Sequence, residues 1–296
     1  MSLAAPPASR HEALVLRVSG PTATLLVEGD EHEARLPPRI EGGPVVAGDR
    51  VLADLADGTL QVRSIGPRAS RLQRGGGPGG GARTLVANAD LLIAVAAVTE
   101  PPLRPRLLDR YLVASAAGNL HAAIVLTKTD LPHDEEEVAR VAERYRAIGY
   151  PVLSGSAWDL GLAGRLAALI GDRVAVLAGH SGVGKSTLTT ALTGVRREVG
   201  AISRKTGTGR HTTTDPRLIP LPGGGAVVDT AGVRTFHLPP MEVREIEAGF
   251  REIAAAAAGC RFRGCAHLGD AGCAVPDRVS PERLESYRRL VEPLNP

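Results

Sequence analysis

Gly179-His180-Ser181-Gly182-Val183-Gly184-Lys185-Ser186 fits the pattern GxxxxGK[ST]. An apolar run, Val174 to Leu177, leads into it, and a helical stretch from Lys185 to Leu192 follows, ending near Gly194. Glycines let backbone N–H groups curl around phosphate oxygens, and the helix N-terminus adds positive potential. Lys185 is placed to reach the β- and γ-phosphates, and the Ser186 hydroxyl to ligate Mg²⁺, with Thr187 next in the first turn. Lysine is rare here: only Lys128, Lys185 and Lys205 accompany the arginines. One of the three stands where a point charge serves better than a guanidinium fork.

The surroundings of this loop share its rhythm. From Leu85 to about Leu238, strand-like runs (Leu91 to Val98, Ala122 to Leu126, Val174 to Leu177, Ala226 to Val228) alternate with helical stretches. The clearest helices are Arg106 to Ala117, Asp134 to Ile148 and Lys185 to Leu192. That alternation predicts a parallel sheet with helices on both faces. The strand over Ala226 to Val228 ends in Asp229-Thr230-Ala231-Gly232. There Asp229 is placed to hold Mg²⁺ through water, and the Gly232 N–H to meet the γ-phosphate.

The strand over Ala122 to Leu126 ends in Thr127-Lys128-Thr129-Asp130, which resembles the [NT]KxD guanine motif of regulatory GTPases. A carboxylate at Asp130 accepts two hydrogen bonds from the guanine N1–H and exocyclic amine, which adenine does not offer in that arrangement. The Lys128 stem is expected over the base face. Ser154-Gly155-Ser156-Ala157 resembles the loop whose backbone meets guanine O6, which makes Ser156 and Ala157 the expected contacts. In ordinary GTPases the phosphate loop comes first. Here Asp130 and Ala157 precede Lys185 and Asp229, so the order is circularly permuted, and the Asp229–Gly232 loop feeds directly into the C-terminal part.

Between phosphate loop and Asp229 lies Gly207-Thr208-Gly209-Arg210-His211-Thr212-Thr213-Thr214. A Thr in such a segment closes over Mg²⁺ and the γ-phosphate; Thr213 is favoured, with Thr212 next. The Gln that positions the attacking water in Ras-like enzymes is replaced by Val233, which leaves His211 as the nearest candidate in sequence.

Outward from this core, the chain has 296 residues, 43% hydrophobic and 23% charged, which excludes a wholly disordered protein and suggests two or three domains. Net charge is +3. No apolar run approaches the ~20 residues that span a bilayer. Met1 to Leu14 lacks the basic start and apolar stretch of a secretory signal, so the expectation is a cytoplasmic protein without membrane contact.

Residues from about Ala13 to Gly66 alternate apolar and polar in short steps, punctuated by Gly29-Asp30 and Asp57-Gly58. About five strands follow from that pattern, as a small OB-type barrel or a sandwich fragment. Gly75 to Gly81 carries Gly at six of seven positions and reads as a linker or mobile loop. It lies in a basic stretch (Arg63, Arg68, Arg71, Arg74, Arg83) that is either a solvated segment or a phosphate contact. Near the C-terminus, Cys260, Cys265, His267 and Cys273 give C-x4-C-x-H-x5-C and include every cysteine. Three thiolates and an imidazole make a closed tetrahedral set for one structural Zn²⁺ ion. A final helix is expected from Pro281 to Leu290.

Taken together, these residues resemble the RsgA (YjeQ) family of ribosomal small-subunit-dependent GTPases. The resemblance spans nearly the whole chain. It includes Val46-Ala47-Gly48-Asp49-Arg50-Val51, Val86-Ala87-Asn88-Ala89-Asp90, Leu108-Asp109-Arg110-Tyr111-Leu112, the phosphate loop, Gly209 to Thr214 and the Cys260–Val275 knot. It implies a multidomain fold: an OB-like N-terminal β-barrel over 1–70, a Gly/Arg-rich linker or loop over 71–84, a circularly permuted α/β P-loop GTPase over 85–240, and a mostly helical zinc-binding domain over 241–296. It implies GTP hydrolysis to GDP and phosphate in late small-subunit maturation, stimulated by the subunit. The partners are that subunit and its rRNA, and a monomer is expected. By the same resemblance His211 matches the family's switch histidine, while Thr127 stands where Asn is more usual and Ala231 where Pro is frequent. The rival expectation is a zinc-dependent rRNA-binding protein whose nucleotide site is a switch with little turnover.

Overall fold

The computed structural model describes residues 10–56, 58–76, 80–195, 216–230 and 236–294. The alternating N-terminal stretch forms β1 (Arg10–Ser19), β2 (Thr22–Val27), β3 (Asp30–Arg35), β4 (Arg50–Ala56) and β5 (Thr59–Ile65). These close on themselves. β1–β2, β2–β3, β4–β5 and β1–β4 pair antiparallel, and β3 pairs parallel with β5. The result is a five-stranded barrel of OB-type strand order, which excludes the sandwich fragment. Val15, Leu25, Ala34, Ala53 and Val62 fill its interior.

The stretch read as a linker or loop is instead mostly a β-hairpin, β6 (Arg71–Gly75) and β7 (Ala82–Ala87). Its composition hid two short strands whose buried Leu72, Val86 and Ala87 join the main core or its edge. The Asn88 side chain ties this hairpin to the barrel: its Oδ1 accepts from Ala69 N at 2.9 Å and its Nδ2 donates to Gly48 O at 3.0 Å. Arg68, read as part of a basic stripe, has another role. Its guanidinium donates to both carboxylate oxygens of buried Asp49, at 2.7 and 2.8 Å.

The central part comprises β8 (Leu91–Ala97), α1 (Pro105–Ala117), β9 (His121–Thr127), α2 (Glu135–Ala147), β10 (Val152–Ser154), α3 (Leu160–Ile170), β11 (Val174–Ala178), α4 (Lys185–Thr193), β12 (Arg217–Pro220) and β13 (Ala226–Asp229). Sheet order is β10-β9-β8-β11-β13-β12, parallel except for β12. Side chains alternate across the sheet as strand geometry requires. Leu92, Ala94, Ile124 and Val176 face α1 and α2; Ile93, Val95, Val125 and Leu177 face α3 and α4. Burial on both faces explains the continuous apolar runs of these strands. A single bridge, Arg17 to Arg217, joins β1 of the barrel to β12.

The chain ends in α5 (Val243–Ala248), α6 (Arg251–Ala257), the Cys/His knot and α7 (Pro281–Val291). Ile246, Phe250, Ile253, Tyr287 and Val291 form its core, and α1 contributes Val113.

Candidate nucleotide and metal sites

Five loops leave the carboxyl ends of the parallel strands, where α/β sheets bind their ligands. The loop after β11 is the phosphate loop. Gly179 sits so close to β8 that an added Cβ would lie 2.3 Å from the Val95 carbonyl oxygen. Gly184 has φ +94°, a left-handed conformation that starts α4 directly at Lys185. The Lys185 side chain is buried, and its Nζ donates to the carbonyls of Gly179 at 2.7 Å and His180 at 2.9 Å. Burial lowers the Lys185 pKa and Asp229 partly restores it. A cation held this way gains from a phosphate counter-charge. Ser181 and Gly182 are exposed, Val183 is buried, and Ser186 and Thr187 are half-buried in the first turn of α4.

The guanine-motif loops close on the same point. Thr127 Oγ1 lies 2.6 Å from the Val183 carbonyl oxygen and 3.2 Å from that of Ala96. A Cβ on Gly184 would lie 3.3 Å from the Ala157 methyl and 3.8 Å from Thr127 Oγ1. So Thr127, Ser156-Ala157 and the phosphate loop, read separately in sequence, adjoin in space. The Thr hydroxyl makes the link to the phosphate loop. Lys128 has φ +63°, and its Nζ donates to the Glu100 carbonyl in the β8–α1 loop, a partner that sequence reading missed. Asp130 is exposed and open to a ligand.

At the end of β13 Asp229 is fully buried, and the following Thr230 hydroxyl donates to the Leu177 carbonyl at 2.7 Å. Asp229 pairs opposite Leu177 of β11, the strand that leads into the phosphate loop, and its charge favours the Lys185 cation. His211, Thr212, Thr213 and Gly232 lie outside the described residues. A separate cleft of 710 Å³, between α1, α2 and α7, meets the phosphate loop only at His180. Its wall carries Arg104, Arg110 and Arg140 together with Glu282 and Glu285, so the nucleotide cradle is defined by the converging loops and not by this cavity.

The four knot residues converge as their spacing predicts. One ligand atom from each of Cys260, Cys265, His267 and Cys273 lies within 4.8 Å of the others. His267 Nδ1 is 3.4 Å from Cys273 Sγ and 3.7 Å from Cys260 Sγ, and the two sulfurs are 3.9 Å apart. A tetrahedral zinc with bonds of roughly 2.0–2.3 Å gives ligand separations of about 3.5–3.8 Å, so the donor set fits zinc. His267 is held from outside the knot. Its buried Nε2 has no hydrogen-bond partner, but Glu247 Oε2 of α5 lies 3.6 Å away. Arg288 of α7 donates to its carbonyl at 2.9 Å. A metal-bound imidazole normally offers its other N–H to such a carboxylate. No motif around Glu247 announces it.

A model of the family described as RsgA GTPase matches residues 65–239. The chain belongs to the RsgA GTPase family. Family membership makes it a GTP hydrolase, and GTP, GDP and Mg²⁺ go with that activity. A relative from Marinobacter nauticus, named small ribosomal subunit biogenesis GTPase RsgA, is 40% identical over 261 residues, covering 84% of this chain and 73% of the relative. One of the same name from Chromohalobacter salexigens is 38% identical over 286 residues, covering 92% and 83%. Among solved structures, YjeQ from Thermotoga maritima superposes with a TM-score of 0.75 at 26% identity, covering 97% of this chain and 99% of that one. YloQ, described as a circularly permuted GTPase, gives 0.74 at 25% identity over 97% of both chains. The permuted order read from the motifs thus has a solved counterpart. No helix among the described residues is long and apolar enough to cross a membrane.

Proposed function

We propose that this protein is a cytoplasmic, monomeric GTPase that binds the small ribosomal subunit through its rRNA during late maturation and leaves when GTP is hydrolysed. The relatives' names support the process, and one geometric observation carries the site: the Thr127 hydroxyl and the Ala157 methyl meet the phosphate loop at Val183 and Gly184. In this reading the units are a barrel (1–70), a Gly/Arg-rich connecting segment (71–84), the GTPase domain (85–240) and the zinc domain (241–296). Asp130 accepts from the guanine Watson–Crick edge, with Lys128 along the base and Ser156-Ala157 at O6. Backbone amides from Gly179 to Lys185 cradle the phosphates, and Lys185 neutralises charge on the β- and γ-oxygens. Mg²⁺, when bound, neutralises charge between the same phosphates. Ser186, Thr213 and Asp229 are the residues that would hold it, with Thr212 and Thr187 beside them. The Gly232 N–H meets the γ-phosphate, and His211 orients the attacking water in the role Val233 cannot fill. Cys260, Cys265, His267 and Cys273 hold one structural zinc.

The test is phosphate release from GTP and from ATP by the zinc-replete protein, with and without small ribosomal subunits. Cleavage of GTP alone, raised many-fold by subunits, is expected. Subunit binding with no change in turnover would instead favour an rRNA-binding protein that uses the nucleotide only as a switch.

A further inference from the structure

Aromatic residues are few in this chain, and the fold buries six of the eight. The extreme exception is Trp158, the sole tryptophan, whose exposure is 81%. Its backbone is not loose. Trp158 N donates to Ser156 Oγ at 3.3 Å, and Asp159 N donates to the Ser156 carbonyl at 3.0 Å before capping α3. An indole exposed to water on a pinned turn offers its face to a flat partner.

Its neighbours say which partner. The Ala157 methyl and the Thr127 side chain both lie against Gly184, so Trp158 stands one residue from a contact with the phosphate loop. β9 and β10 are parallel neighbours, with Leu126 paired to Ser154, so Lys128 and Trp158 follow adjacent strand ends. Asp130 addresses only the polar edge of a purine. The Thr127 hydroxyl is engaged by the Val183 carbonyl. The flat faces of the base are left to side chains with area: the Lys128 stem and the Trp158 indole.

We propose that Trp158 stacks on the guanine base of the bound nucleotide and is a determinant of its affinity. This rests on the guanine reading of Asp130. Stacking of a base on an aromatic side chain is worth enough that its loss weakens binding by about 10-fold or more.

The sole tryptophan makes the test direct. Full-length, zinc-replete protein is titrated with GDP, GTP and ATP in Mg²⁺, following tryptophan emission and, separately, calorimetric heat. GDP is expected to change the emission saturably, with a midpoint equal to the calorimetric Kd, and ATP is not. Trp158→Ala should raise the GDP Kd and the KM for GTP about 10-fold while zinc content and thermal midpoint hold, and Trp158→Phe should fall between. If calorimetry detects GDP but emission and the Ala variant's Kd stay unchanged, the indole does not touch the base and the proposal fails. If the Ala variant binds GDP normally but small subunits poorly, the proposal is overturned in favour of a docking role. If no guanine nucleotide binds at all, the guanine reading itself has failed, and this proposal with it.

Discussion

A hydroxyl proton goes to one acceptor at a time, and Thr127 spends its proton on the phosphate loop. Thr127→Val keeps the shape and strands the buried Val183 carbonyl. An unsatisfied buried acceptor costs about 1–3 kcal/mol, and denaturant unfolding should show a loss of that size together with weaker GDP binding. His211→Ala should bind GTP normally yet release phosphate slowly in the presence of small subunits. Normal stimulated turnover would remove His211 from the mechanism. In the knot, Glu247→Ala should weaken zinc about 10–100-fold in a chelator competition, since the imidazole loses the carboxylate that sets its tautomer, while Glu247→Gln should recover part. The clustering of the four knot residues was legible in sequence because metal chemistry needs close spacing. Glu247 was not: it reaches His267 only because α5 docks beside the knot, and spacing along the chain carries no trace of that.

Elements meet through a buried charge cluster. Arg283 of α7 is almost fully buried, and its guanidinium donates to Asp109 of α1 and, at 2.5 Å, to Glu252 of α6. It also lies 4.3 Å from the Phe250 ring centre. Tyr145 of α2 donates to the same Asp109 at 2.6 Å. Burial works against the Arg283 charge, but the two carboxylates outweigh it and hold its pKa above the ordinary arginine value. Arg283→Met leaves both carboxylates without their cation. The expected loss is about 3–5 kcal/mol in denaturant unfolding, nearly independent of salt because the cluster is shielded from ions. None of this was visible in the chain, where Asp109 and Arg283 lie 174 residues apart. By contrast β8, β9, β11 and β13 were legible almost to the residue, since strands buried on both faces must be continuously apolar. The β6–β7 hairpin was hidden by the glycines of the segment, which dominate its composition although the two strands contain only Gly75 among them.

At the scale of the molecule, the zinc module shares a core with the GTPase domain through Val113 and lies at the end of the segment that leaves Asp229. A zinc ion held by its Cys/His cluster would add stability to a module with a core of modest size. Stripping zinc with a chelator should melt α5 to α7, seen as lost helical circular dichroism. The parallel sheet should persist, since its two apolar layers lie mostly outside the module.

The sheet order has a further consequence during synthesis. β8 lies in the interior of the finished sheet, between β9 and β11, yet β11 begins some 77 residues after β8 ends. At about 5–20 residues per second, β8 waits roughly 4–15 seconds for β11, the last one to four of them with β9 and β10 already made. Through that interval Leu91–Ala97 is an open, apolar edge, the kind that recruits foreign strands. The permutation that places guanine recognition ahead of the phosphate loop therefore leaves the newborn chain with an open strand edge at a defined point in its translation, before its phosphate loop has been made.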